Sequence, residues 1–181
     1  MHEARLIIVT GLPGTGKTTL ARALADRLRV PLLAKDAIKE PLLDCLGAGD
    51  AAHSRTLSDA SFAVMFALAR ELVASGHGGI LEGNFRPGEH ESALRSSSAR
   101  IAQILCVVEE SQRLERLNAR SADSMRHAGH RDADLARSMP AARGAAFLDL
   151  PGERFQCDTG ASNSDLLARL DRWWCADSRT L

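Results

Sequence analysis

The stretch "RLIIVTGLPGTGKTTLARALADRL", residues 5–28, constrains the fold more than any other part of the chain. Its first six residues are apolar and rich in β-branched side chains, which reads as a buried strand. The run stops at Gly11, and Gly11, Gly16, Lys17 and Thr18 then satisfy the phosphate-loop pattern G-x-x-x-x-G-K-[ST]. Leu20, Ala21, Leu24, Ala25 and Leu28 follow at helical spacing. Glycines let the backbone curl until successive N–H groups point into one concavity, and the helix N-terminus adds its own donors. The expected cradle runs through Gly11, Pro13, Gly14, Thr15, Gly16, Lys17, Thr18 and Thr19. Lys17 would reach the β- and γ-phosphates of ATP, and the Thr18 hydroxyl would ligate Mg²⁺. The competing reading, an ordinary glycine-rich turn, does not require this order of residues between a strand and a helix.

The rest of the chain must be built around that unit. At 181 residues it has room for one α/β domain, so a single domain over 1–181 is expected. Lys plus Arg and Asp plus Glu are both 23, and this balance argues against polynucleotide as a bulk partner. Cys45, Cys106, Cys157 and Cys175 form no CxxC pair, which argues against a zinc site or a disulfide framework. No apolar run reaches the length of a membrane span, and the start "MHEAR" lacks the pattern of a secretion signal, so a cytoplasmic protein is expected.

In a doubly wound sheet the loops after the strands converge on the ligand crevice. "PLLA" reads as the second strand, which places "KDAIKE" at its carboxyl end. A carboxylate there, Asp36, can take a proton from an attacking hydroxyl or help to hold Mg²⁺. Lys39 is a candidate for contact with the acceptor. The alternative is that Asp36 caps the helix beginning "AIKE" and that Lys39 and Glu40 are solvated.

Further along, apolar positions from Leu57 to Val73 follow a 3.6-residue period and predict a long helix. His53 and Arg55, just before it, either line the acceptor pocket or belong to a solvated helix start. "ILEGNF" reads as a third strand and brings Glu82, Asn84 and Arg86 toward the crevice. "RIAQILCVV" reads as a fourth, apolar on both faces. Arg113, Arg116 and Arg120 share one helical face, and guanidinium groups on a movable helix suit a phosphoryl-transfer lid, expected over about 110–140. Within it, His127, His130, Asp132 and Asp134 read as polar loop rather than metal ligands. "ERFQCDTG" reads as a fifth strand whose Asp158–Gly160 turn is expected to approach the adenine. A closing helix begins with a cap at Ser164, and Trp173 and Trp174 cannot both face fully inward.

"GLPGTGKTT", "KDAIKEPLLDCLG", "LEGNF" and "RLNARSADSMRHAGH" together resemble the small-molecule kinases of the P-loop AAA-33 group. That group is related to chloramphenicol phosphotransferase and to the polynucleotide 5′-hydroxyl kinase domain. The resemblance covers roughly residues 4–160. It implies a three-layer P-loop NTPase fold of the α/β class, with a five-stranded parallel sheet, helices on both faces and a helical lid. It also implies that Asp36 is the catalytic base. Where relatives often carry "RHPGH", this chain has Arg126-His127-Ala128-Gly129-His130, which relaxes the turn and removes no chemical group. The function expected is transfer of the ATP γ-phosphate to a hydroxyl of a small molecule by a monomer or homodimer, with Lys17, Asp36, Arg116 and Arg120 as catalytic groups. A polynucleotide 5′-hydroxyl kinase and a non-catalytic nucleotide switch are the alternatives.

Overall fold

The computed structural model of the chain describes residues 3–95, 97–121 and 145–176. Five strands form one sheet: β1 (Arg5–Gly11), β2 (Leu32–Ala34), β3 (Gly79–Glu82), β4 (Arg100–Val107) and β5 (Glu153–Asp158). Their order is β2-β3-β1-β4-β5, and every neighbouring pair is parallel. The helices are α1 (Lys17–Leu28), α2 (Lys35–Leu46), α3 (Ala51–Ala74), α4 (Glu91–Arg95), α5 (Glu110–Ser121) and α6 (Ser164–Cys175).

Strand β1 is central because its side chains are apolar on both faces. Ile7 and Val9 point to one side, where Ala21 and Leu24 of α1 and Leu166, Leu170 and Trp173 of α6 complete a core. Ile8 points to the other, where Phe62, Met65, Phe66 and Ala69 of α3 pack with Leu81, Leu94, Leu148 and Leu150. This alternation is the period of two that a strand imposes, and it yields three layers. Among the described residues, no helix is long and apolar enough to cross a membrane.

Helices α3 and α6 start elsewhere than the sequence reading places them. Helix α3 begins at Ala51, ahead of the predicted Leu57, because the Asp50 carboxylate accepts the His53 N–H at 2.9 Å and caps an added turn. His53 and Arg55 therefore lie inside the helix, where the His53 ring nitrogen Nε2 sits 3.0 Å from the Gly47 carbonyl. At α6 the capping position falls to Asn163, whose side-chain amide donates to the Asp158 and Ala161 carbonyls at 2.8 and 2.9 Å; Ser164 is already helical. Trp173 is buried and Trp174 only partly so, as the paired tryptophans required. The predicted lid is described only through α5, so His127, His130, Asp132, Asp134 and the Arg126–His130 turn lie outside the described residues.

Candidate active site

The loop between β1 and α1 closes on itself. Thr15 donates both its backbone N–H (3.2 Å) and its hydroxyl (2.8 Å) to the Leu12 carbonyl, and the Lys17 ammonium donates to the same oxygen at 3.1 Å. Gly14 and Gly16 hold φ of 86° and 78°, a left-handed conformation that side chains disfavour. Space matters as well. A Cβ on Gly14 would lie 2.8 Å from the Arg113 carbonyl oxygen, and one on Gly16 would lie 3.2 Å from the Thr159 hydroxyl. The loop is thus pressed from above by α5 and by the turn after β5.

Those two neighbours are joined by arginine. Arg116 donates to the Thr159 hydroxyl at 2.9 Å and to its carbonyl at 3.3 Å, while that hydroxyl donates to the Thr15 carbonyl at 2.8 Å. The Asp158–Gly160 turn, expected near adenine, is seen here to buttress the phosphate loop through Thr159. Arg113, only 2% exposed, has a different role from its helical neighbours. It grips the Glu110 carboxylate at 2.8 and 2.7 Å and donates to the Pro13 carbonyl at 3.2 Å.

Below the loop, Glu82 ends β3 beside β1, pairing in register with Val9, and is buried. Burial raises its carboxyl above the usual carboxylate range, opposed by the Lys17 charge and by a hydrogen bond from the Thr18 hydroxyl. Burial in turn lowers the Lys17 ammonium, opposed by Glu82 and Asp36 and reinforced by Arg120. Lys17, Thr18, Glu82, Asp36 and Arg120 therefore form one electrostatic unit. The hydroxyl of Thr18 and the carboxylates of Glu82 and Asp36 are hard oxygen donors, the set that suits Mg²⁺.

Asp36 stands at the second position of α2, where a negative charge faces the positive end of the helix, and pairs with Lys35 at 2.9 Å. The capping position itself is Ala34, so the cap reading of Asp36 does not describe this helix start.

A cavity of about 760 Å³ joins these groups. Lys17, Thr18, Thr19, Asp36, Glu82, Arg116 and Arg120 line it, together with Gly14 and Gly16. Three sequence candidates lie elsewhere. Lys39 is buried between α2 and α3 and donates to Ser54 and Ser58 hydroxyls at 2.8 and 3.0 Å. Arg86 pairs with Asp59 at 2.5 Å and with Glu89 at 3.0 Å. Asn84 is exposed. Conversely, Arg22 and Glu40 line the cavity, and the sequence reading names neither as a site residue. Glu40 was findable, since it sits one helical turn after Asp36.

The family profile described as AAA domain, AAA_33, matches residues 6–144. Over 97% of this chain and 100% of the other, the structure superposes with a TM-score of 0.83 on a Chloroflexus aurantiacus protein provisionally designated a kinase, at 32% identity. An uncharacterized protein of Mycobacterium tuberculosis is 33% identical over 102 residues, which is 52% of this chain and 20% of that protein. A shikimate kinase of Salinispora tropica is 34% identical over 83 residues, 43% of this chain and 50% of that enzyme. The chain thus spans a fifth to a half of the length of these two relatives.

Proposed function

Because the chain belongs to the AAA_33 family of AAA domains, we propose that it is an ATP-dependent phosphotransferase acting on a hydroxyl of a small molecule. The observation that carries this reading is the cavity bounded by Lys17 and Thr18 of the loop, Asp36 in the first turn of α2, Glu82 at the end of β3, and Arg116 and Arg120 of α5. The similarity to a provisionally designated kinase and to a shikimate kinase supports the same reaction type.

In this mechanism the loop N–H groups and Lys17 hold the β- and γ-phosphates in line with the acceptor. Lys17 exchanges its contact with the Leu12 carbonyl for phosphate oxygens. The acceptor oxygen forms a bond to the γ-phosphorus as the bond from that phosphorus to the ADP oxygen breaks, and the hydroxyl proton passes to the Asp36 carboxylate. Thr18 and Glu82, with Asp36 nearby, are the residues that would hold Mg²⁺, whose contribution is to neutralise phosphate charge. Arg116 and Arg120 offer planar donors to the equatorial oxygens, where the transferring group spreads its charge.

Incubation with γ-labelled ATP and a panel of hydroxyl compounds tests the reading. Label should move to at least one organic acceptor, and Lys17→Ala should abolish the transfer. Release of label only as inorganic phosphate across the panel would contradict it.

A further inference from the structure

Helix α3 carries two apolar faces. Between Asp59 and Arg70 it reads "ASFAVMFALA", a run without a single charge. Phe62, Met65, Phe66 and Ala69 are buried in the core on the sheet side, and the buried Ser61 hydroxyl donates to the Leu57 carbonyl at 2.6 Å. The other members of the run, Ala60, Ala63, Val64, Ala67 and Leu68, are exposed, Val64 at 42% and Leu68 at 44%. They recur at i, i+3, i+4, i+7 and i+8, the spacing of a helix face that packs on something. A helix that is apolar all round is ordinarily covered all round. Here the outer half of the run is open among the described residues.

The ends of the run indicate what fits it. Asp59 immediately precedes it and Arg70 immediately follows it, both exposed. Their spacing is close to three whole helical turns, which sets them on one edge of the helix, within about 20° of each other. Laid antiparallel on a copy of itself, the run brings Asp59 opposite Arg70 of the second copy, and a two-fold axis between Val64 and Met65 repeats the contact at the other end. Parallel pairing would set like charges together. Asp59 also receives Arg86 at 2.5 Å, and Arg86 in turn holds Glu89 at 3.0 Å, so two carboxylates against one guanidinium leave this end negative. Alanine at 60, 63 and 67 lets two helix axes approach closely. A membrane surface fits the face less well, because Asp59 and Glu71 flank it and α3 contains no lysine. We infer that the exposed face of α3 is a homodimer interface, in which two copies of this chain pack their 60–69 segments antiparallel about a two-fold axis. Among the described residues none that lines the cavity belongs to α3, so the interface leaves the cavity open and stands apart from the phosphotransferase reading.

One helix pair buries an area at the low end of specific interfaces, so the dimer should dissociate in the micromolar range. Sedimentation velocity of the full chain across that range should show a monomer passing to a species of twice its mass. Val64→Glu and Leu68→Glu, each at an exposed position, should stay monomeric at every concentration, with the helical content and ATP affinity of the wild type. Arg70→Glu, which sets like charges together at both ends, should weaken the dimer by about tenfold. A cross-link reads the direction of pairing. In a background with the exposed Cys45 and Cys175 changed to Ser, Val64→Cys lies beside the axis and should form a disulfide-linked dimer on mild oxidation with diamide. Thr56→Cys should not, because its counterpart on the second copy is about 25 Å away along the helix. A wild-type protein that remains monomeric throughout would overturn the inference, as would a dimer that persists in both glutamate variants. Equal cross-linking through Thr56→Cys and Val64→Cys would overturn the antiparallel arrangement.

Discussion

Arg113 and Pro13, one hundred residues apart, meet where α5 crosses the phosphate loop: the guanidinium donates to the Pro13 carbonyl at 3.2 Å while Glu110 holds its other edge. An arginine that looks by spacing like part of a catalytic lid is here a strut for the loop. Arg113→Met should keep the aliphatic stem, lose the polar contacts and destabilise the protein by about 1–3 kcal/mol. The loop should also bind ATP more weakly. Thermal unfolding with an ATP titration checks both, and an unchanged ATP affinity would mean that the strut is dispensable.

The contact above Gly14 gives a paired comparison. Gly14 and Gly88 have nearly equal φ, 86° and 84°, but a Cβ on Gly88 meets nothing within 4 Å, whereas one on Gly14 meets the Arg113 carbonyl at 2.8 Å. Gly88→Ala should cost about 1–2 kcal/mol for the backbone conformation alone. Gly14→Ala should cost more, because α5 must move as well, and should weaken ATP binding. Equal losses from the two substitutions, measured by chemical denaturation, would show that α5 does not press on the loop.

How far the sequence disclosed this site follows from the range of the interactions involved. The loop, Asp36 and Glu82 were legible because each is announced locally, by glycine spacing or by the carboxyl end of an apolar strand. The division of "KDAIKE" was not. Lys39 and Glu40 differ by only about 100° of helical rotation, and pairing rules give no reason to bury a lysine on two serines. Arg86 turned to Asp59, a partner 27 residues away, and nothing near Arg86 in the chain signals that choice. The three arginines of α5 look alike by spacing, and which of them holds the loop and which lines the cavity depends on packing against Pro13 and Thr159.

His90 supplies a pH dependence away from the cavity. The imidazole is buried against Phe62, with ring centroids 4.1 Å apart, and accepts the Arg86 N–H at Nδ1. Burial first, and the Arg86 charge second, lower its pKa below the usual 6.5, opposed by Glu89, Glu91 and Asp59. A depressed histidine pKa means that the unfolded chain takes up the proton first as pH falls. Stability from this group is therefore complete above 6.5 and is lost as pH falls from there toward the lower folded value. Denaturation of the wild type and of His90→Asn between neutral pH and pH 5 should show a flatter decline in the variant. Parallel curves would remove His90 as a cause.

Asp36→Asn tests the central claim most directly. The amide keeps the size of the side chain, leaves Lys17, Thr18 and the loop backbone in place, and cannot take the acceptor proton at neutral pH. With an acceptor from the screen, kcat for phosphoryl transfer should fall by roughly 10²–10⁴-fold, while ATP binding measured by calorimetry stays close to that of the wild type. Transfer at near wild-type rate by a folded, ATP-binding Asn variant would contradict the assignment of Asp36 as the base.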